Sequence, residues 1–167
     1  MPSMLQALTE IGRIRSVRYR LSDGIFGLLS YSSPNNTPDQ EEEIRRRLTQ
    51  FKTFVEYFET ISAYQNARLQ RDTKNVRSLE EKLLTNADIY AGVASIFKEP
   101  TEREEIRSKL SKIEQVVDSI LSRDSPSSDD VKESLDTLKA LRKQVEERTS
   151  EDEKTAERMI YGSIPTF

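Results

Sequence analysis

Apolar residues recur at three- and four-residue steps along almost the whole chain, the spacing of helices that each bury one stripe. Met4, Leu8, Ile11, Ile14, Val17 and Leu21 outline a first helix, weakened by Gly12. Ser22, Asp23 and Gly24 read as its stop, and Ser32 to Asn36 as a loop. The apolar run between them, Ile25 to Tyr31, is left open in conformation.

The strongest helix signal begins at Thr37. Thr37 and Gln40 have capping-box spacing, and Pro38 takes the first helical position, where a missing N–H costs nothing. Glu41, Glu42 and Glu43 suit the positive end of the helix dipole. The stripe Ile44, Leu48, Phe51, Val55, Phe58, Ile61 carries this helix to about Arg71. A second strong helix is expected on Val76, Leu79, Leu83, Ala87, Tyr90, Val93 and Phe97, ending before Pro100. Thr101 and Glu104 have capping-box spacing ahead of a third stripe, Ile106 to Ile120. A turn around Pro126 leads to a fourth, Val131 to Val145.

Helices joined by short turns must alternate in direction. The pattern therefore predicts an all-α fold, an up-down-up-down four-helix bundle over residues 37–148. An Arg-rich arm, residues 1–36, would precede it, and a charged segment with an extended tail, residues 149–167, would follow.

Composition narrows the chemistry. The 167 residues include no Cys and no His, which removes thiol nucleophiles, disulfides, imidazole bases and Cys/His metal sites. The five Gly are scattered and form no phosphate-binding loop. No carboxylate falls in an apolar stripe where burial would raise its pKa for acid–base work, and Asp88, the nearest, reads as a charge on a helix flank. Asp129-Asp130 and Glu151-Asp152-Glu153 lack the alternating spacing of a calcium loop. Asn35-Asn36-Thr37 matches a glycosylation triplet, discounted because such triplets arise by chance and Pro38 follows. Neither catalytic residue, metal nor cofactor is expected. No run approaches the roughly 20 apolar residues of a spanning helix, so the chain is expected to be peripheral to a membrane at most. Met4 to Leu21 contains four Arg and no continuous apolar core, which does not read as a signal peptide.

Charge is the remaining signal. Residues 1–80 carry 12 Lys and Arg against 10 Asp and Glu, and residues 81–167 carry 14 against 19. Arginines cluster at Arg13, Arg15, Arg18 and Arg20, at Arg45 to Arg47, and at Arg68, Arg71, Lys74 and Arg77. Such groups neutralise phosphates or acidic protein surfaces. The first cluster and the apolar residues flanking the expected bundle form the candidate docking set: Arg13, Arg15, Arg18, Arg20, Ile25, Phe26, Tyr161 and Phe167. As parts of free arms, they could be reversed or deleted with little effect on stability.

The stretch from Val76 to Val145 resembles the Q-type extrinsic (PsbQ-like) proteins of photosystem II in helix order and lengths. A helix with the stripe Leu79, Leu83, Ala87, Tyr90 gives way to Lys98-Glu99-Pro100. The charged start Glu102-Arg103-Glu104-Glu105 follows, then Asp118 and Leu121, the turn Ser125-Pro126 and a Leu-rich helix with Leu135, Leu138 and Leu141. The resemblance covers about 70 residues; the Arg-rich N-terminal segment and the tail after Val145 depart from the family. It implies a non-catalytic extrinsic subunit in the thylakoid lumen, shielding the oxygen-evolving site and supporting its retention of calcium and chloride. The alternative is a helical, nucleic-acid-associated small subunit of a ribonucleoprotein complex of the CRISPR effector type, with the Arg clusters following a phosphate backbone.

Overall fold

The computed structural model describes residues 3–161, which form six helices and no strands. They are α1 (Met4–Tyr31), α2 (Pro38–Leu69), α3 (Thr73–Leu84), α4 (Ala87–Ile96), α5 (Pro100–Leu121) and α6 (Ser128–Tyr161). The all-α expectation holds, and the differences from the sequence reading concern where helices start, stop and pack.

Of the expected arm, residues 1–36, the described part from Ser3 on is not free. Ser3 caps α1 through a capping box with Gln6, and the helix runs straight through Ser22-Asp23-Gly24 to Tyr31. Its inward stripe is Ala7, Ile11, Ile14, Val17, Leu21, Ile25 and Leu28, all buried. The spacing keeps its phase from Leu21 through Ile25 to Leu28, so burial of that stripe outweighs the local turn preference of Ser-Asp-Gly. Met4 and Leu8, expected in the stripe, are on the outside at 43% and 50% exposure.

The two glycines that looked like punctuation are contact points. A Cβ on Gly24 would lie 2.8 Å from the Phe51 ring and 3.0 Å from Leu138, and one on Gly27 would lie 2.5 Å from Leu48. Without side chains at 24 and 27, α1 approaches α2 and α6 closely and fills the space that Phe51, Leu48 and Leu138 leave. Gly92 does the same for α4, where a Cβ would meet the Arg13 carbonyl oxygen at 2.6 Å.

Helix α2 begins as expected, with Thr37 and Gln40 satisfying each other's backbone N–H groups. Ile44, Leu48, Phe51, Val55, Phe58 and Ile61 are all buried. The helix ends with Arg71 in the left-handed region (φ 55°), and the Asp72 N–H donates to the Ala67 carbonyl. Arg123 (φ 63°) closes α5 in the same way. Helix α5 starts at Pro100, ahead of the expected Thr101 cap, because proline is suited to the first helical turn.

The single helix expected over Val76–Phe97 is two. Asn86 leaves the helical region (φ −134°, ψ 57°), and the chain turns between α3 and α4. Two different neighbours require the break. Val76, Leu79 and Leu83 of α3 pack in the core beside α2, where the Tyr57 hydroxyl donates to the Leu83 carbonyl. Helix α4 instead crosses α1 at Gly92 and Val17. The turn also shifts the phase, so Ile89 is buried where Ala87 was expected.

The charged stretch after Val145 is not a separate segment either. Helix α6 continues to Tyr161, and Ala156 packs with Ala7 and Ile11 in a small cluster apart from the main core. The expected tail, Gly162 to Phe167, lies outside the described residues. The main core joins all six helices around Phe51, Phe54, Phe58 and Phe97, each at most 1% exposed. The Phe58 ring meets Phe54 and Phe97 edge-on at 6.1 and 6.3 Å.

Substituting Gly24→Ala or Gly92→Ala should overpack these crossings. Each should lower unfolding free energy by roughly 1–3 kcal/mol, against the helix propensity that alanine adds. Denaturant melts of the two variants check this.

Candidate docking surfaces

The first Arg cluster serves the fold. The Arg18 guanidinium donates two hydrogen bonds of 3.0 Å to the Glu153 carboxylate on α6. Arg15 reaches Glu153 at 3.3 Å and Glu157 at 3.5 Å. Arg20 pairs with Asp23 at 3.4 Å, while Arg13 has only a long contact to Glu10, 3.9 Å. The Arg15 and Arg18 ties hold the basic centre of α1 to the acidic end of α6, while the Arg13 and Arg20 contacts stay within α1. The hydrogen bond to Arg18 and its positive charge keep the Glu153 carboxyl below its ordinary 4.5, although burial works against this.

The remaining candidates divide. Ile25 is core and touches no outside surface. Phe26 points outward, 41% exposed, with the Arg47 guanidinium 4.9 Å above its ring. Tyr161 ends α6 at 67% exposure, and Phe167 lies outside the described residues. Among the described residues, these candidates thus lie on packed helices and not on free arms.

The second cluster is consumed as well. Arg45 donates at 2.8 Å to the Leu121 carbonyl at the C-terminus of α5, where a cation complements the helix dipole. Arg46 and Arg47 bond Glu43, whose carboxyl is held down to about 2 by these two guanidinium groups. Arg47 also reaches Asp23 at 2.9 Å. Asp23 is 5% exposed, a buried carboxylate that the sequence reading missed inside its supposed turn. Helical phase gave no signal for it: two positions from both Leu21 and Ile25, it lies across the helix from that stripe, where it pairs with Arg47 of α2. Arg103 was missed although it stands in phase with Ile106 and Leu110. It reads as an ordinary surface charge but is buried, donating to Gln65 at 3.0 Å and to the Phe97 carbonyl at 2.8 Å. Burial lowers its pKa from the usual arginine range.

The third cluster stays open. Arg68, Arg71, Lys74 and Arg77 are exposed around the α2–α3 corner, and among the described residues none has a carboxylate within ion-pair distance. Arg68 sits 5.9 Å over the Tyr64 ring.

A second surface is apolar. Leu5, Leu8, Tyr19, Phe26 and Leu29 are 73%, 50%, 60%, 41% and 50% exposed, all on the side of α1 facing away from the core. Near its N-terminal end a groove of about 580 Å³ opens between α1 and α6, lined by Leu5, Ala7, Ala156 and Met159 among others. Isolated exposed apolar residues are ordinary, whereas these five form a row on one side of one helix. Elsewhere, Glu114 is the carboxylate whose pKa is raised, through burial and the nearby Glu59, Asp118 and Glu56. Among the described residues no helix is long and apolar enough to cross a membrane.

The chain matches no family model, no curated protein and no solved structure.

Glu153 has a depressed folded-state pKa, so its stabilisation is present above the ordinary carboxylate range and lost as pH falls through the lowered value. Glu153→Gln should destabilise by about 1–2 kcal/mol at pH 7. Thermal melts at a series of pH values should show the gap from the native chain closing below pH 4.5, the ordinary value.

Proposed function

We propose that this chain is a non-catalytic subunit that docks on a larger protein assembly through the outer face of α1. The long helices α1, α2, α5 and α6 act as a rigid bundle of alternating direction, with α3 and α4 as a side connection. The observation that carries this reading is the row of exposed apolar side chains on α1, a surface that loses free energy to water unless a partner covers it. Ion pairing of α1 to α6 at Arg15 and Arg18 holds that face rigid, so little ordering is needed on binding. The assembly named by the resemblance in helix order is the lumenal face of photosystem II, in the thylakoid lumen, where the subunit would support oxygen evolution.

A second reading rests on the open third cluster: a basic corner that contacts a phosphate backbone, as in a helical subunit of a ribonucleoprotein complex. Salt separates the two. Binding through Arg68, Arg71, Lys74 and Arg77 would weaken linearly in log affinity against log salt, whereas binding through the α1 face would persist.

The docking reading predicts that, in an extract of the source cells, the native chain elutes with a species far larger than its own mass. Leu8→Glu with Leu29→Glu should release it as the free protein. Because both sites are exposed, unfolding free energy should change by no more than about 0.5 kcal/mol per site. Elution of the native chain as a free protein would overturn this reading.

A further inference from the structure

The outer face of α1 has an order that mere exposure does not require. Leu5, Leu8, Gly12, Arg15, Tyr19, Ser22, Phe26 and Leu29 follow one another at steps of 3, 4, 3, 4, 3, 4 and 3 residues, and each is exposed or half-exposed. That is the seam spacing of a coiled coil, on the side of the helix opposite its core stripe. The seam is also self-complementary when reversed, with large residues at both ends, small ones inside them and an Arg and a Tyr at the centre.

We propose that this face pairs with the same face of a second copy, the two α1 helices running antiparallel about a two-fold axis between Arg15 and Tyr19. This rests on the docking reading and names the member of the assembly that the α1 face meets, a second copy of this chain. In that register Leu5 meets Leu29 of the second copy and Leu8 meets Phe26, so every large apolar residue at the ends is covered by another. Gly12 meets Ser22, a layer of two small residues that lets the helices approach. Arg15 meets Tyr19, a cation over an aromatic ring. A two-fold interface must be self-complementary in this way, residue i meeting j while j meets i.

Two further observations agree. Gly12 is exposed, and a Cβ placed there would meet nothing within 4 Å. Inside one chain this glycine therefore weakens the helix by about 1 kcal/mol relative to alanine without a packing reason. A close crossing with a second helix supplies the reason. The antiparallel register also brings two Arg-rich centres together, which would repel if bare. Arg15 and Arg18 are already paired with Glu153 and Glu157 within each chain, and Arg20 with Asp23, which it shares with Arg47.

The test uses the purified full-length chain in sedimentation equilibrium. The expected result is a species of twice 19.3 kDa at micromolar concentration. Gly12→Leu has room in the single chain, so it should weaken dimerisation at least tenfold while leaving the melting of the dilute monomer unchanged or raised. Register is read by disulfide formation, because the native chain has no cysteine. Mixed Leu8→Cys and Phe26→Cys chains should cross-link to each other, and neither should cross-link to itself. Self-linked Leu8→Cys chains, or a dimer indifferent to Gly12→Leu, would overturn the antiparallel pairing. A purified chain that stays monomeric at 100-fold higher concentration would overturn the second copy as occupant. The docking reading fails separately, on elution of the native chain as a free protein or dimer from the extract.

Discussion

Close approach at glycine seats the inner face of α1 against α2, α4 and α6, and much of the architecture follows from it. Gly24 and Gly27 admit Phe51, Leu48 and Leu138, and Gly92 lets α4 cross at the Arg13 carbonyl. With α1 so placed, α2 and α6 close around it, and α4 must leave the line of α3 to reach it. The break at Asn86 is thus a consequence of where α1 lies.

Charge then locks this packing in place. Arginines that a linear reading assigns to an outside partner are paired inside the chain, Arg15 and Arg18 to α6, Arg47 to Asp23 and Glu43, Arg45 to the end of α5. Partly exposed pairs of this kind contribute little individually. Those of Arg15 and Arg18 with α6 and of Arg47 with Asp23 help select one arrangement, because they tie α1 to another helix and would be lost if α1 slid by a turn. Arg103 extends this inward by satisfying the Phe97 carbonyl at the turn before α5. What remains for interaction is what the fold does not consume: the outer seam of α1 and the basic corner between α2 and α3.

Helix α1 carries apolar residues on two sides. The inner stripe of α1 is covered by its own chain, and its outer row is left to water in the single molecule. The exposed Gly12 within that row costs helix stability and gains nothing intramolecular. An apolar seam, an otherwise unexplained glycine and neutralised flanking charges together describe a surface suited to another helix.

Much of the fold was legible in the sequence because helical periodicity is a local property. The stripes from Ile44 to Ile61, Ile106 to Ile120 and Val131 to Val145, the Thr37 cap and the absence of Cys and His follow from residue order alone. Tertiary structure decided which of two apolar faces of α1 is buried, since Leu8 and Ile11 are equally apolar and only neighbouring helices distinguish them. It decided that Ser-Asp-Gly continues a helix, because burial of Ile25 and Leu28 outweighs local turn preference. It also decided which arginines remain free, as pairing depends on distances between residues more than a hundred positions apart, such as Arg18 and Glu153. Periodicity records that a face will be buried; only the assembled chain determines what buries it.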